Sequence, residues 1–528
     1  MLYLLTQAVD RAAQQAPERI AVSFAGASMT YGDLLARSNQ LARALTTEGV
    51  KRGDRVALLL RKGLHTAVSL YGIMKAGAAY VPLDPTAPAA RLDFTIRDCG
   101  IRDVVTDPKG TPMIRRLIDH GADLRCIVGV EPEDDLHVPC VSWSSVVQLS
   151  AEAPTERTME QDLAYVLYTS GSTGVPKGVM HTHRSALSFA EVAAQTYGFT
   201  PDDRLGNHAP LHFDLSTLDF FGAAVAGAST VIIPEAHTKL PASLSRLMED
   251  ERMTVFYAVP SAMTQLLLRG ALDKRDLSAL RWVLFGGEPF PPKHLRRLMA
   301  LVPQAQFSNV YGPTETNGVT FHVVPPIPDD SDEPIPIGRL YDNVDALVVD
   351  AKDTPVGPGE PGELLIRSPS MMRGYWSRPD LDERAFAKIT VFGSFDDVYH
   401  RTGDLVRQQA DGVFHFLGRK DRQVKVRGYR VELDEIEAAL VAHEQVEAAA
   451  VFLVDVEDGD LRIEAAVMLR PDATVDVAAL IAHLRDQLPV YAVPERIAVV
   501  ENFPRTSSGK VDRLALKSQA ASPQDIPV

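Results

Sequence analysis

Leu163-Ala164-Tyr165-Val166-Leu167-Tyr168-Thr169-Ser170-Gly171-Ser172-Thr173-Gly174-Val175-Pro176-Lys177-Gly178 reads as a buried apolar strand running into a loop of glycines and hydroxyls that holds one lysine. Small residues let backbone N–H groups come close to an anion, and the hydroxyls and ammonium add donors. This is the chemistry of a phosphate cradle. It is not a Walker A loop, because the G-x-x-x-x-G-K-[ST] spacing is absent. An ordinary surface turn uses the same residue types; the preceding strand and the lysine favour the phosphate reading.

The strand in this stretch is one of a series. Residues 55–60, 79–83, 102–106 and 124–130 before it, and 229–233, 253–258, 281–285 and 306–311 after it, read as short apolar strands separated by helical patterns such as 31–45 and 65–75. Alternation of this kind, with β-branched strands apolar on both faces, predicts an α/β fold of parallel-rich sheets flanked by helices. Ligands then sit beyond the carboxyl ends of strands. After about residue 320 the pattern changes. Residues 344–418 hold short β segments broken by Pro-Gly turns, a β-rich subregion. From 422 a compact α+β pattern follows: a strand at 423–426, a helix at 433–441, strands near 446–454 and 461–468, and a helix at 475–488. The expected organisation is a large N-terminal domain over 1–419, a hinge at 420–422 and a small mobile C-terminal domain over 423–528, with the last residues as a tail.

Composition excludes several classes. A chain of 528 residues is too long for one core. Its net charge of -15, with no basic tract, argues against a nucleic-acid binder. The three cysteines, Cys99, Cys126 and Cys140, are widely spaced and suggest neither zinc nor disulfides. No signal peptide and no membrane-spanning run is present, so a cytoplasmic, reduced, soluble protein with no membrane partner is expected.

Five further constellations carry chemistry. Asp214, after His212-Phe213, is either a helix cap or a carboxylate at a pocket wall that pairs with an ammonium. Asn309-Val310-Tyr311-Gly312-Pro313-Thr314-Glu315 sets an amide and an aromatic ring beside a Gly-Pro turn and a hard oxygen donor suited to Mg²⁺. Tyr399-His400-Arg401-Thr402-Gly403-Asp404 offers an acid able to accept from two ribose hydroxyls, or a plain turn. Gly418 to Arg430 is dense in cations, either a solvated edge or a hinge. Ser508-Gly509-Lys510 puts one lysine at a glycine turn; alone it is ordinary surface.

Together these residues resemble the adenylate-forming superfamily of acyl-CoA synthetases, peptide-synthetase adenylation domains and luciferase. The likeness is strongest to a free-standing amino-acid adenylation enzyme of nonribosomal peptide synthesis. The resemblance runs in order along nearly the whole chain, from Met29-Thr30-Tyr31-Gly32-Asp33 and Lys75-Ala76-Gly77 to Gly509-Lys510-Val511-Asp512-Arg513. It implies an acid–thiol ligase using ATP and Mg²⁺, in which the substrate carboxylate attacks the α-phosphorus of ATP. Thr169, Ser170, Gly171, Ser172, Thr173, Gly174 and Lys177 would hold the β- and γ-phosphates. Thr314 and Glu315 would serve the α-phosphate and Mg²⁺. Tyr311, with Gly312, would stack on adenine, Asn309 would bond its edge, and Asp404 and Arg419 would grip the ribose. Lys510 would bridge the α-phosphate and the substrate carboxylate. The small domain would turn about Asp421 for thioester formation, withdrawing Lys510.

In this family an Asp at position 214 pairs with the substrate amino group, which implies an amino acid. Positions resembling the specificity pocket are Asp214, Leu215, Leu218, Ala258, Leu284, Gly286, Val310, Gly318, Val319 and Lys510. Apart from Asp214 and Lys510 they carry no charge, so an apolar side chain is expected: proline-like, or a β-amino acid. The expected acceptor is the phosphopantetheine thiol of a separate carrier protein, since no carrier domain follows Arg513. An acyl- or aryl-CoA ligase is the alternative.

Overall fold

The helix Leu64–Lys75 is buried on every side from Thr66 through Met74. A helix without a solvent face must be a middle layer, and it packs on strand Ala79–Pro82 of one sheet and strand Ile20–Phe24 of another. The structure is a computed structural model describing residues 2–132, 136–155, 157–171, 175–391, 393–456, 461–471, 473–505 and 511–520. It divides into two compact units. The first comprises Met1–Pro85, Ile96–Tyr168 and Gly178–Lys420; the second comprises Thr86–Thr95, Thr169–Lys177 and Asp421–Val528.

The first unit is α/β. A nine-stranded sheet has at its centre Arg204–Asn207, Val255–Ala258, Trp282–Gly286 and Gln306–Tyr311, all paired in parallel. An eight-stranded sheet contains Arg55–Leu59, Ala79–Pro82, Asp103–Thr106 and Leu163–Thr169, also in parallel. The β-rich subregion is a five-stranded antiparallel sheet built on Pro361–Arg367 and the long strand Asp397–Gln408. Two of the early motifs prove to be structural. Thr30 and Asp33 form a capping box on helix Tyr31–Thr47, and Tyr31 Oη donates to the Ala228 carbonyl at 2.5 Å. Lys75 Nζ joins Asp10 at 2.5 Å to Asn39 at 2.8 Å.

The second unit is α+β. Gln423–Val426 and Tyr429–Glu432 form a hairpin whose turn residues Arg427 and Gly428 both have positive φ, +51° and +81°. Strands Val446–Asp455, Leu461–Leu469 and Arg496–Val499 form a sheet. Helices Leu433–Val441 and Val477–Arg485 bury Ile436, Leu440, Leu480 and Leu484 against it. Arg91 and Glu435 pair at 2.9 Å within this unit.

Two expectations need adjusting. The helix expected over 475–488 is trimmed to Val477–Arg485, because the Asp476 carboxylate accepts from Ala478 N and caps it. Lys177 opens an unforeseen strand, Lys177–Thr182, in the eight-stranded sheet. Among the described residues the cysteines are free, and no helix is long and apolar enough to cross a membrane.

Candidate active site

Four parallel strands of the first unit end at Asn207, Ala258, Gly286 and Tyr311, and most of the expected pocket residues lie at or just beyond these carboxyl ends. This is where ligands bind in open α/β sheets.

Tyr311, Asp404 and Arg419 form one hydrogen-bonded unit. The antiparallel pairing of Asp397–Gln408 with Phe414–Arg419 sets Asp404 opposite Arg419. Arg419 Nη1 donates to Asp404 Oδ1 at 2.6 Å, and Tyr311 Oη donates to Asp404 Oδ2 at 2.5 Å. Burial first, then the adjacent Asp404 carboxylate, raise the Tyr311 phenol well above its ordinary value, so it remains a donor. A carboxylate has about four lone-pair sites, which leaves Asp404 capacity for further donors such as a diol. Asn309 lies on the same face of its strand as Tyr311. It is buried, and its amide donates to the Pro336 carbonyl at 2.9 Å.

The turn after Tyr311 is tight. A Cβ on Gly312 would lie 1.8 Å from the Asn317 carbonyl oxygen, so only glycine fits there. Glu315 is buried, and Tyr375 Oη donates to its Oε1 at 2.7 Å. Its backbone carbonyl accepts from Met372 N at 2.7 Å. One oriented carboxylate suits Mg²⁺, which keeps several waters and substrate phosphates as its other ligands. Among the described residues no cluster of three or more metal-binding side chains exists. The Thr314 carbonyl is held by His181 Nε2 at 2.8 Å. Burial lowers this imidazole to about 4, so at neutral pH it is uncharged. Asn317 Nδ2 lies 3.3 Å from His181 Nδ1. An amide donating there leaves Nε2 with the proton, which then donates to Thr314. Sequence reasoning passed over His181 and assigned no role to Tyr375, although Arg373-Gly374-Tyr375-Trp376 is one of the motifs that carry the resemblance.

Asp214 does not act as a cap: its side chain makes no capping hydrogen bond with the short helix that follows. Its charge raises the phenols of both Tyr165 and Tyr257, after burial in each case, so the carboxylate lies near both rings. Below it, Lys62 Nζ donates to the carbonyls of Asn207 and His208 at 2.9 and 2.8 Å, and Asn207 Nδ2 donates to Asp219 Oδ2 at 3.0 Å. These bonds hold the end of the strand from which the Asp214 turn departs.

Leu218, Leu284 and Val310 share one apolar cluster, and Leu215 packs against it. Gly318 adjoins this cluster: a Cβ there would meet Phe189 Cε2 at 2.6 Å and Val310 Cγ1 at 3.2 Å. A Cβ on Gly286 would meet the Val310 carbonyl oxygen at 2.1 Å and Tyr257 Oη at 3.4 Å. Two expected positions point elsewhere. Ala258 packs in the cluster of Phe256 and Phe285, and Val319 packs with Ile337, Leu364 and Val406. In the parallel register Tyr257 pairs with Leu284 and Ala258 with Phe285. The side chain that faces the cluster of Leu284 and Val310 is therefore Tyr257, one residue before the expected position.

The glycine-rich loop belongs to the second unit. There Ser170 Oγ donates to the Arg430 carbonyl at 2.9 Å, and a Cβ on Gly171 would lie 2.1 Å from the Val175 carbonyl oxygen. The Thr169 hydroxyl is buried without a hydrogen-bond partner among the described residues. Lys177 begins its strand, and Asp421 Oδ1 accepts from Gln423 N at 3.2 Å. Ser172, Thr173, Gly174 and Lys510 lie outside the described residues.

Comparison with known families matches the chain to one of them, the AMP-binding enzymes. The chain belongs to that family: residues 9–376 match the AMP-binding enzyme, and 435–510 match the AMP-binding enzyme C-terminal domain. It is 34% identical to an L-proline--[L-prolyl-carrier protein] ligase of Pseudomonas fluorescens, over 95% of this chain and 96% of that protein. It is also 34% identical to a dimodular nonribosomal peptide synthase of Bacillus subtilis over 97% of this chain, but spans only 21% of that much longer protein. Among solved structures it resembles the amide bond synthetase McbA of Marinactinospora thermotolerans, with a TM-score of 0.84 and 26% identity over 98% of this chain and 99% of that one.

Proposed function

We propose that this enzyme activates an apolar amino acid as its aminoacyl-AMP and passes it to the phosphopantetheine thiol of a separate carrier protein. The observation that carries the reading is Asp214, a carboxylate without a capping role set beside an apolar cluster. A site so built suits a substrate with an ammonium next to a hydrocarbon body. Proline is the first candidate, because the nearly full-length relative from Pseudomonas fluorescens is a proline–carrier protein ligase.

Adenylate formation needs no protein nucleophile, because the substrate carboxylate itself attacks the α-phosphorus and pyrophosphate leaves. The work of the protein is to hold two anions together and offset the developing charge. Asp214 fixes the amine. Tyr311 stacks on adenine, with Gly312 leaving the turn open and Asn309 at the base edge; Asp404 and Arg419 take the ribose. Thr314 serves the α-phosphate, and Glu315 would hold Mg²⁺, which when bound neutralises phosphate charge. The loop from Thr169 to Lys177 grips the leaving group. Lys510 supplies the positive charge that bridges the α-phosphate and the carboxylate. Rotation about Asp421 then withdraws Lys510 for thioester formation, so that one pocket serves two reactions in turn.

Amino-acid-dependent pyrophosphate exchange tests this. Exchange is expected with proline or another apolar amino acid, and Asp214→Ala should reduce it by a hundredfold or more. Exchange supported instead by fatty or aryl acids and unchanged in Asp214→Ala would indicate an acyl- or aryl-CoA ligase. Lys510→Ala should lose more adenylate formation than Lys177→Ala; the reverse order would give the loop lysine the main charge-stabilising role.

A further inference from the structure

Gly318 contributes no side chain to the wall of the proposed substrate pocket, and a residue outside the expected pocket set takes that space. A Cβ on Gly318 would lie 2.6 Å from Phe189 Cε2 and 3.1 Å from Phe189 Cζ. The ring edge of Phe189 therefore occupies the volume that a side chain at position 318 would take. Phe189 projects from helix His183–Thr196 into the cluster of Leu218, Tyr257, Leu284 and Val310 and is 5% exposed.

The ring is braced from behind. It meets Tyr341 edge-on, with centroids 6.4 Å apart and planes at 76°. The Tyr341 hydroxyl lies 3.1 Å from that of Tyr197, which lies 3.1 Å from Ser308 Oγ. A buried aromatic fixed by a hydroxyl chain cannot swing away cheaply, since packed interiors resist displacement.

We propose that Phe189 is a specificity-determining residue: it forms the end wall of the side-chain pocket opposite Gly318 and sets the upper size limit of the amino acid. This rests on the amino-acid-activating reading above. Because Gly318 has no side chain of its own, the Phe189 ring closes that side of the pocket, and substrates larger than a small ring or short branched chain are expected to meet it.

The test is pyrophosphate exchange by the full chain and its variants Phe189→Ala, Phe189→Leu, Gly318→Ala and Phe189→Ala/Gly318→Ala. Substrates are proline, its six-membered-ring homologue, leucine and phenylalanine, with kcat/KM measured for each. Phe189→Ala should raise the ratio for larger substrates over proline at least tenfold, and Phe189→Leu should raise it less. Gly318→Ala should lower proline kcat/KM about tenfold, because its methyl meets the ring, and adding Phe189→Ala should restore most of that loss. A ratio within twofold of the parent in the Phe189 variants, with all substrates lowered alike, would make Phe189 a packing residue and overturn the proposal. So would Gly318→Ala and Phe189→Ala effects that simply multiply. Should Phe189→Ala fail to fold, Phe189→Leu and Gly318→Ala still decide. A parent that exchanges only with non-amino acids would refute the functional reading, visibly and separately; the same ratio, read over those acids graded by size, would still decide the role of Phe189.

Discussion

The Tyr375 phenol donates to Glu315 Oε1 at 2.7 Å and helps orient the carboxylate. A hydrogen bond to a charged group contributes about 1.5–3 kcal/mol, so Tyr375→Phe should lower kcat/KM for ATP by roughly tenfold or more. If the phenol aims the carboxylate at Mg²⁺, the magnesium concentration giving half-maximal exchange should rise several-fold; a titration curve superimposable on the parent's would remove that role. His181 offers a complementary case. It is neutral and holds the Thr314 carbonyl at 2.8 Å, so what matters is one donor of suitable reach. His181→Gln should stay within about threefold of the parent and His181→Leu should fall about tenfold, the size of one lost hydrogen bond. Equal losses in both variants, with equal loss of thermal stability, would reduce the imidazole to a packing group.

Strand Val255–Ala258 separates specificity from packing by one residue. Tyr257 faces the cluster of Leu284 and Val310, whereas Ala258 faces that of Phe256 and Phe285. Tyr257→Ala should therefore change which amino acids support exchange. Ala258→Val should overpack the other core, costing about 1–3 kcal/mol of stability, and leave the order of substrates intact; the opposite pattern would restore position 258 to the pocket. The example also shows where the sequence stops being legible. Long alternation of apolar strands and helices made the parallel sheets readable from residue types alone, and residues 306–311 matched the strand Gln306–Tyr311 at both ends. Apolar residues on both faces give no parity signal, so nothing in Val-Phe-Tyr-Ala says which side chain looks into the site; only the register with Trp282–Gly286 does. The pairing of Tyr375 with Glu315 was illegible for a related reason. Tyr375 lies 60 residues from Glu315, and pairing across such a distance leaves no local trace. The Tyr311–Asp404–Arg419 grip was different, because each member sits in a short run of glycine, proline and polar residues that already looks unlike packing.

Across the molecule, burial leaves three imidazoles well below the ordinary histidine value of 6.5: His181 and His183 at about 4 and His208 at about 3. All three lie in the larger unit. Their charged neighbours are Glu315 for His181 and Asp162 for His183, which oppose the shift, and Lys62 for His208, which adds to it. The sign follows from linkage. Between about pH 6.5 and 4 the unfolded chain binds these protons and the folded chain does not, so stability falls as pH falls, by up to about 1.4 kcal/mol per unit for each group. Asp219, held protonated by burial, works in the opposite direction over the same window. For these four groups alone, one subtracted from three, the contribution near pH 5 is a loss of roughly 2–3 kcal/mol per pH unit. The tryptophans Trp143, Trp282 and Trp376 all lie in the larger unit, so urea unfolding followed by their fluorescence reports on it directly. The midpoint should drop steadily from pH 7 to 5. His208→Phe should flatten that drop by about half, since it removes one of two net protons. His208 Nε2 is buried without a partner among the described residues and its ring stands edge-on to Phe256, so phenylalanine keeps the ring contact and removes a buried polar atom. At pH 7.5 the variant should be as stable as the parent or more so, and parallel curves for the two proteins from pH 7 to 5 would show that His208 takes up no proton on unfolding.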